Sequence, residues 1–332
     1  MVPGGVELEL MIRLQAVLGW LEPGMRLVSA LGYTQVYLLA AAAIYWWARP
    51  GLGLRLGLLL CLGGALTDIL KLAARAPRPA WIDPRVQALT RARSFGLPSG
   101  HALTAWLMWG YPALKGARPK PLWGWPLGLG LIFVIGWSRV QLGVHSPLQV
   151  LAGWLGGGAL VLAAAKWEPG LRAWLRGQGP LRQVALGLAL SLSLLAAGAV
   201  IRAGLGGWAA PAGWRPGPGF DPLRLEPILV YTGLLGGLAG GAVLMNLKGG
   251  FDPTGPWAAK VGRLALGLAG GLLIRLAPAL WPGPGAGIFL SGLVHYLAGL
   301  GGGLWIAWLA PVLFIRLGLA GSGSGEPGVG RE

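Results

Sequence analysis

The chain has 332 residues, 55% of them hydrophobic and only 11% charged, about half the charged fraction of an ordinary soluble domain, which such a composition excludes. Its formal net charge of +16 would suit nucleic acid, but in a membrane chain Lys and Arg gathered in cytoplasmic loops account for it. A single cysteine, Cys61, excludes an intramolecular disulfide and a cysteine metal cluster.

Residues 5–22, "GVELELMIRLQAVLGWLE", carry Glu7 and Glu9 where a signal peptide would be basic. They read as an amphipathic helix lying at the membrane interface, within an N-terminal segment 1–27. Nine apolar spans follow, near 28–48, 53–72, 100–114, 122–140, 147–165, 183–203, 226–246, 259–281 and 287–315. The expected fold is all-α, a polytopic membrane helix bundle. Its core covers 28–203, additional C-terminal helices cover 204–317, and a flexible Gly/Ser tail covers 318–332. "GWLGGGA" and "GGLAGGAV" suit close helix packing through small residues, or a plain bias toward glycine. No motif of the first half recurs in the second.

The cations divide the loops. Arg49 and Arg55, then Lys115, Arg118 and Lys120, then Lys166, Arg172, Arg176 and Arg182, then Lys248, Lys260 and Arg263, then Arg316 occupy alternate connections. Those connections are assigned to the cytoplasm, with the C-terminus. An odd number of spans then puts the N-terminus outside, together with the loops 72–99, 138–146 and 204–225. Two of these outer loops are rich in arginine against the charge rule, so their cations need another reason.

Three short stretches supply one. "KLAARAPRP" holds Lys71 and Arg78, "PSGH" ends on His101, and "SRVQLGVH" runs from Ser138 and Arg139 to His145. The charge pattern brings all three to the same outer surface. Three fixed cations, two histidines, a serine and a glycine suit a phosphoryl group, whose transition state spreads charge over its equatorial oxygens. Arg grips phosphate bidentately and Lys acts as a point charge. Backbone N–H groups of 99–101 would open a helix toward an anion. Ser99 can cap that helix and donate its hydroxyl, and Gly100 permits close approach. One histidine would attack phosphorus and the other protonate the leaving oxygen.

These residues resemble the type 2 phosphatidic acid phosphatase family, whose pattern is Lys-x6-Arg-Pro, then Pro-Ser-Gly-His, then Ser-Arg-x5-His-x3-Asp. The resemblance covers about residues 50–165. It implies a metal-independent phosphoric ester hydrolase without cofactors, with His145 as nucleophile and His101 as general acid. Lys71, Arg78, Ser99, Gly100 and Arg139 would hold the phosphate. Gln149 stands where the pattern has Asp, which would accept the His145 Nδ1 proton. "HSPLQVLAGWLGG" and "RPAW" are similar to the glucose-6-phosphatase branch, which carries His-x3-Gln here and is active. Gln149, Asp68 (three residues before Lys71 on one helix face) and Ser138 are read as supports behind the phosphate contacts.

The expected function is hydrolysis of a phosphomonoester or diphosphate, of a lipid in preference to a small sugar phosphate, through a phosphohistidine at the outer face. Expected partners are the phosphorylated substrate and membrane lipids, with no nucleic acid. An oligomer has no support, and the expected location is a bacterial inner membrane with the site facing the periplasm. The rivals are an inactive phospholipid-binding or transport protein, which Gln149 would favour, and a vanadium haloperoxidase, which nine spans oppose. Elsewhere, His295 reads as a structural hydrogen-bonding group and Arg275 as an interfacial charge. Arg75, Arg91 and Arg93 read equally as headgroup contacts or solvated charges, and Trp81 and Trp137 as walls of the pocket entrance.

Overall fold

The computed structural model of the chain describes residues 3–115, 124–217, 219–280 and 287–323. Arg118, Lys120, residues 281–286 and the tail beyond 323 lie outside them. In chain order the helices are α1 Gly5–Leu18, α2 Glu22–Leu31, α3 Thr34–Trp47, α4 Pro50–Ala74, α5 Pro79–Ile82, α6 Gly100–Ala105, α7 Tyr111–Lys115, α8 Gly124–Gln141, α9 Pro147–Arg176, α10 Pro180–Ala203, α11 Glu226–Leu247, α12 Trp257–Leu276, α13 Ile288–Leu304 and α14 Ala310–Arg316. Four of them begin on proline, whose preset φ and missing N–H suit a first helical position. Tryptophan-bearing π-helical turns, Trp106–Gly110 and Trp305–Leu309, join α6 to α7 and α13 to α14.

A backbone in lipid must satisfy its N–H and C=O groups within its own segment, which makes such a chain helical. Among the described residues, six helical stretches are long and apolar enough to cross a membrane: Pro50–Ile82, Pro147–Arg176, Pro180–Ala203, Glu226–Leu247, Trp257–Ala279 and Phe289–Arg316. The pair Gly5–Leu31 and Thr34–Trp47, bent by 51°, would add a seventh. The segments expected as spans at 100–114 and 122–140 are helical as α6 to α7 and α8.

Residues 1–37, 66–166 and 197–225 pack as one unit. Its core gathers Leu8, Met11, Val86, Ala102, Val140 and Val150. Met11 of α1 is fully buried, which stabilises by roughly 2 kcal/mol. The segment read as interfacial is also held by hydrogen bonds. Gln15 Nε2 donates to the Gln87 carbonyl at 2.8 Å and Gln141 Nε2 to the Leu18 carbonyl at 3.0 Å. Glu7 accepts from Leu148 N–H at 2.9 Å. The glycines of "GWLGGGA" bring α9 against α6: a β-carbon on Gly153 would lie 2.5 Å from the Ser99 carbonyl oxygen, and one on Gly157 2.5 Å from that of Leu103.

Residues 38–65, 167–196 and 226–332 form the second unit. Here α11 and α13 pack glycine to glycine, and a β-carbon on Gly237 would lie 2.1 Å from the Leu300 carbonyl oxygen. Ser191 Oγ donates to the Thr232 carbonyl at 2.6 Å and lies 3.0 Å from the Tyr296 hydroxyl. His295 Nδ1 donates to the Ser291 carbonyl at 2.8 Å, a structural bond of the expected kind. The one addition to an all-helical plan among the described residues is a two-stranded antiparallel ladder, β1 Phe251–Asp252 with β2 Gly321–Ser322. Arg263, fully buried, donates to the Pro253, Thr254 and Leu319 carbonyls.

Candidate active site

His145 lies in the tight connection between α8 and α9. The Arg139 carbonyl, in the last turn of α8, accepts from Val144 N–H and His145 N–H, both at 3.2 Å. Pro147 then opens α9 and puts Gln149 in its first turn. His145 is buried, and its Nδ1 faces the Gly96 carbonyl at 2.8 Å and Gln149 Oε1 at 3.2 Å. Both neighbours are acceptors. Gln149 cannot be turned the other way, because its Nε2 donates to the Pro77 carbonyl at 2.7 Å and its Oε1 accepts from Ser146 N–H at 3.3 Å. The proton of a neutral ring therefore sits on Nδ1, leaving the Nε2 lone pair free to react. Burial first, and then the positive charge of Arg78, hold the His145 imidazole well below its ordinary pKa, so the ring is neutral at pH 7.

Arg78 is braced on every side. Its Nε donates to the Ser94 carbonyl at 2.7 Å, one terminal nitrogen to the Val144 carbonyl at 2.8 Å, and the other to the Phe95 carbonyl at 3.3 Å and Ser94 Oγ at 3.4 Å. The nitrogen on Val144 also reaches His145 Nε2 at 3.1 Å, where it is the donor. Lys71 Nζ pairs with Asp68 Oδ1 at 3.2 Å. A β-carbon on Gly100 would stand 3.8 Å from Lys71 Nζ, so the missing side chain leaves room beside that charge.

His101 and Arg139 meet through Ser29. The Ser29 carbonyl lies beside the His101 ring: a β-carbon on Gly32 would stand 2.8 Å from the ring and 3.3 Å from that oxygen. His101 Nε2 is buried and makes no hydrogen bond among the described residues. Arg139 donates to Ser29 Oγ, and its Nε is likewise buried without a partner among the described residues. Gly32 permits this approach, since a β-carbon there would lie 2.8 Å from the His101 ring.

Lys71, Arg78, Arg139, His101 and His145 are thus brought into mutual electrostatic range. Ser99 departs from the expectation of a helix cap: its hydroxyl makes no capping bond and is buried without a partner among the described residues. Its N–H is also taken, by the Gln149 carbonyl at 2.9 Å. Ser138 is buried, with its hydroxyl donating to the Ile135 carbonyl of its own helix at 2.7 Å. Trp81 is buried against Trp214 and Phe220, while Trp137 stacks on Phe133. Two contributors carry no motif signal. Gly96 offers a carbonyl, which any residue has, and Ser29 is one serine in an apolar stretch. Gly96 can be recognised afterwards by its lack of a side chain: a β-carbon would fall 2.5 Å from Gln149 Nε2.

A buried cluster of cations around two histidines is of the kind that suits phosphoryl transfer. Residues 52–173 match the PAP2 superfamily, and residues 229–322 match the PAP2 superfamily phosphatase transmembrane extension. The chain belongs to the PAP2 superfamily and is an integral-membrane phosphatase, a phosphoric ester hydrolase. Among curated proteins it is similar to an undecaprenyl-diphosphatase of Sulfolobus acidocaldarius, with 28% identity over 162 residues, 48% of this chain and 73% of that protein. No solved structure matches it.

Proposed function

We propose that the protein removes the terminal phosphate of a lipid diphosphate through a phosphohistidine at His145, on the outer face of its membrane. The observation that carries this reading is the tautomer of His145: Nδ1–H is held by Gly96 and Gln149, and Nε2 faces the guanidinium of Arg78. The similarity to an undecaprenyl-diphosphatase favours a lipid diphosphate over a sugar phosphate.

The steps follow from the geometry. In the empty site one Arg78 N–H points at His145 Nε2. An arriving phosphate oxygen is a stronger acceptor for that N–H, and its binding frees the nitrogen lone pair. Nε2 attacks the terminal phosphorus as the bridging P–O bond breaks. The anionic substrate offsets the surrounding cations and lets the His101 ring take up a second proton from solvent, which Nε2 then delivers to the leaving oxygen. Lys71, Arg78 and Arg139 hold the charge that gathers on the equatorial oxygens. Water then attacks the phosphohistidine, His101 takes its proton, and inorganic phosphate leaves.

The test is phosphate release by the purified chain from undecaprenyl diphosphate, phosphatidic acid, phosphatidylglycerophosphate and glucose 6-phosphate, with His145→Ala beside it. The expected result is fastest release from the diphosphate, loss of at least ~1,000-fold in His145→Ala, and a 32P-labelled, acid-labile adduct only where His145 is present. Release from no substrate would favour a non-catalytic lipid-binding protein, and unchanged release by His145→Ala would overturn the mechanism.

A further inference from the structure

The cations that resist the topology rule are not exhausted by the motifs. Arg224 lies at the end of the segment 204–225, between the two regions matched to the superfamily, and packs in the same unit as the site. That segment is fastened over the strands of chain that carry Arg78 and Gly96. Arg215 N–H donates to the Trp81 carbonyl at 2.6 Å, and Asp221 N–H to the Arg93 carbonyl at 3.3 Å. The Trp81 ring meets Phe220 with centroids 4.9 Å apart, and Phe95 meets Trp208 at 5.2 Å. Next to Arg224, the Leu223 carbonyl accepts from Arg202 Nε at 2.9 Å. Arg224 is therefore delivered by an anchored segment.

Its surroundings are unusual. Arg224 Nε is buried with no hydrogen-bond partner among the described residues, a state that costs free energy unless a ligand completes it. Its charge acts on Lys71, as do those of Asp68 and Arg78. Arg78 in turn feels Arg139 and Asp68. Among the groups so linked are four cations, Lys71, Arg78, Arg139 and Arg224, and one carboxylate, Asp68, which pairs with Lys71. The surplus is three positive charges. A phosphomonoester brings up to two negative charges, whereas a lipid diphosphate brings up to three.

We propose that Arg224 forms a second anion subsite, which holds the non-transferred phosphate of a lipid diphosphate while Lys71, Arg78 and Arg139 hold the phosphate that His145 attacks. This rests on the lipid-diphosphatase reading and adds to it the residue that separates diphosphates from monoesters. No bond is made or broken at Arg224. It grips the phosphate that leaves on the prenyl chain and stabilises the charge arriving there as the bridging bond breaks.

The experiment compares wild type, Arg224→Gln and Arg224→Lys, full-length and in detergent micelles, on undecaprenyl diphosphate and undecaprenyl monophosphate. In parallel, binding of methylenediphosphonate and of orthophosphate is measured by calorimetry. Arg224→Gln should lose about 30-fold in kcat/KM on the diphosphate, the worth of one charge-assisted contact, and less than about 3-fold on the monophosphate. Arg224→Lys should recover part of the loss. Methylenediphosphonate binding should weaken by about 10-fold and orthophosphate binding by less than about 2-fold. Equal losses on both substrates, or none on the diphosphate, would overturn the subsite while leaving the diphosphatase reading intact. If wild type released nothing from the diphosphate, that reading would fail, and the binding arm alone would decide Arg224. Selective weakening for methylenediphosphonate would sustain the subsite, and equal or no weakening would overturn it.

Discussion

At the scale of single residues, Gln149 looks like the weak point of the motif, and its surroundings explain how the site works without a carboxylate. In a serine protease triad the Asp-to-Asn change is severe because it selects the wrong histidine tautomer. Here Gln149 is locked by the Pro77 carbonyl and Ser146 N–H, and the Gly96 carbonyl is the nearer acceptor for His145 Nδ1. Gln149→Ala should therefore cost about 10-fold in kcat, far less than loss of the nucleophile, together with ~1–3 kcal/mol of stability from the Pro77 and Ser146 groups left unpaired. Gln149→Asp should leave turnover measurable. Gly96→Ala should be worse than either in activity, because its β-carbon overlaps the Gln149 amide at 2.5 Å. Phosphate release and thermal melts on the three variants check this order. The pH dependence follows from His145. Its pKa is depressed by burial and by Arg78, so the neutral nucleophile persists as pH falls through the ordinary value of 6.5. The acid limb of kcat/KM that belongs to His145 should lie below that value, and Arg78→Gln should move it upward. The unfolded chain takes up this proton near 6.5. The stability tied to a neutral His145 is thus complete above that pH and is lost as pH falls below it.

At the scale of elements, α1 and α2 act on the chemistry although they stand outside the matched region 52–173. Glu7 meets the first turn of α9, and Ser29 accepts a hydrogen bond from Arg139 beside the His101 ring. Ser29→Ala leaves the backbone beside His101 in place and removes the hydroxyl that accepts from Arg139. It should raise KM by about 5- to 10-fold, the worth of one hydrogen bond to a charged group, with little change in melting temperature. A fall in melting temperature that accounts for the whole loss would make Ser29 merely structural. The glycine face of α9 is a packing device. Gly157→Leu would drive a side chain into the Leu103 carbonyl oxygen, 2.5 Å from its β-carbon. It should cost at least ~2 kcal/mol, seen as a lower melting temperature with a corresponding loss of active protein.

At the scale of the whole molecule, the remaining question is which side of the membrane the site faces. If the site lies on the outer face as proposed, the loops 72–99 and 204–225 lie outside and the Arg172–Arg182 connection inside. Cys61 is fully buried, so a cysteine introduced at an exposed loop position will be the reactive one. Arg91→Cys should react with an impermeant maleimide added outside sealed, right-side-out vesicles. Arg182→Cys should react only after the vesicles are opened. The reverse pattern would place the phosphate site on the cytoplasmic face.

Composition alone determined that this chain is helical and membrane-embedded, because apolar runs of span length leave the backbone no other way to satisfy its polar groups. The spacing of Lys71, Arg78, His101, Arg139 and His145 announced phosphate chemistry, because side-chain type and order survive in one dimension. Three things were decided only by tertiary structure: the tautomer of His145, the reach of Ser29 from the N-terminal helices, and the burial of Arg224 Nε without a partner among the described residues. Each depends on a backbone carbonyl or on a residue brought from a distant part of the chain. Carbonyls are the same at every position, and a lone serine or arginine has no pattern, so nothing marks these groups until folding gathers them into one unit with the histidines and cations.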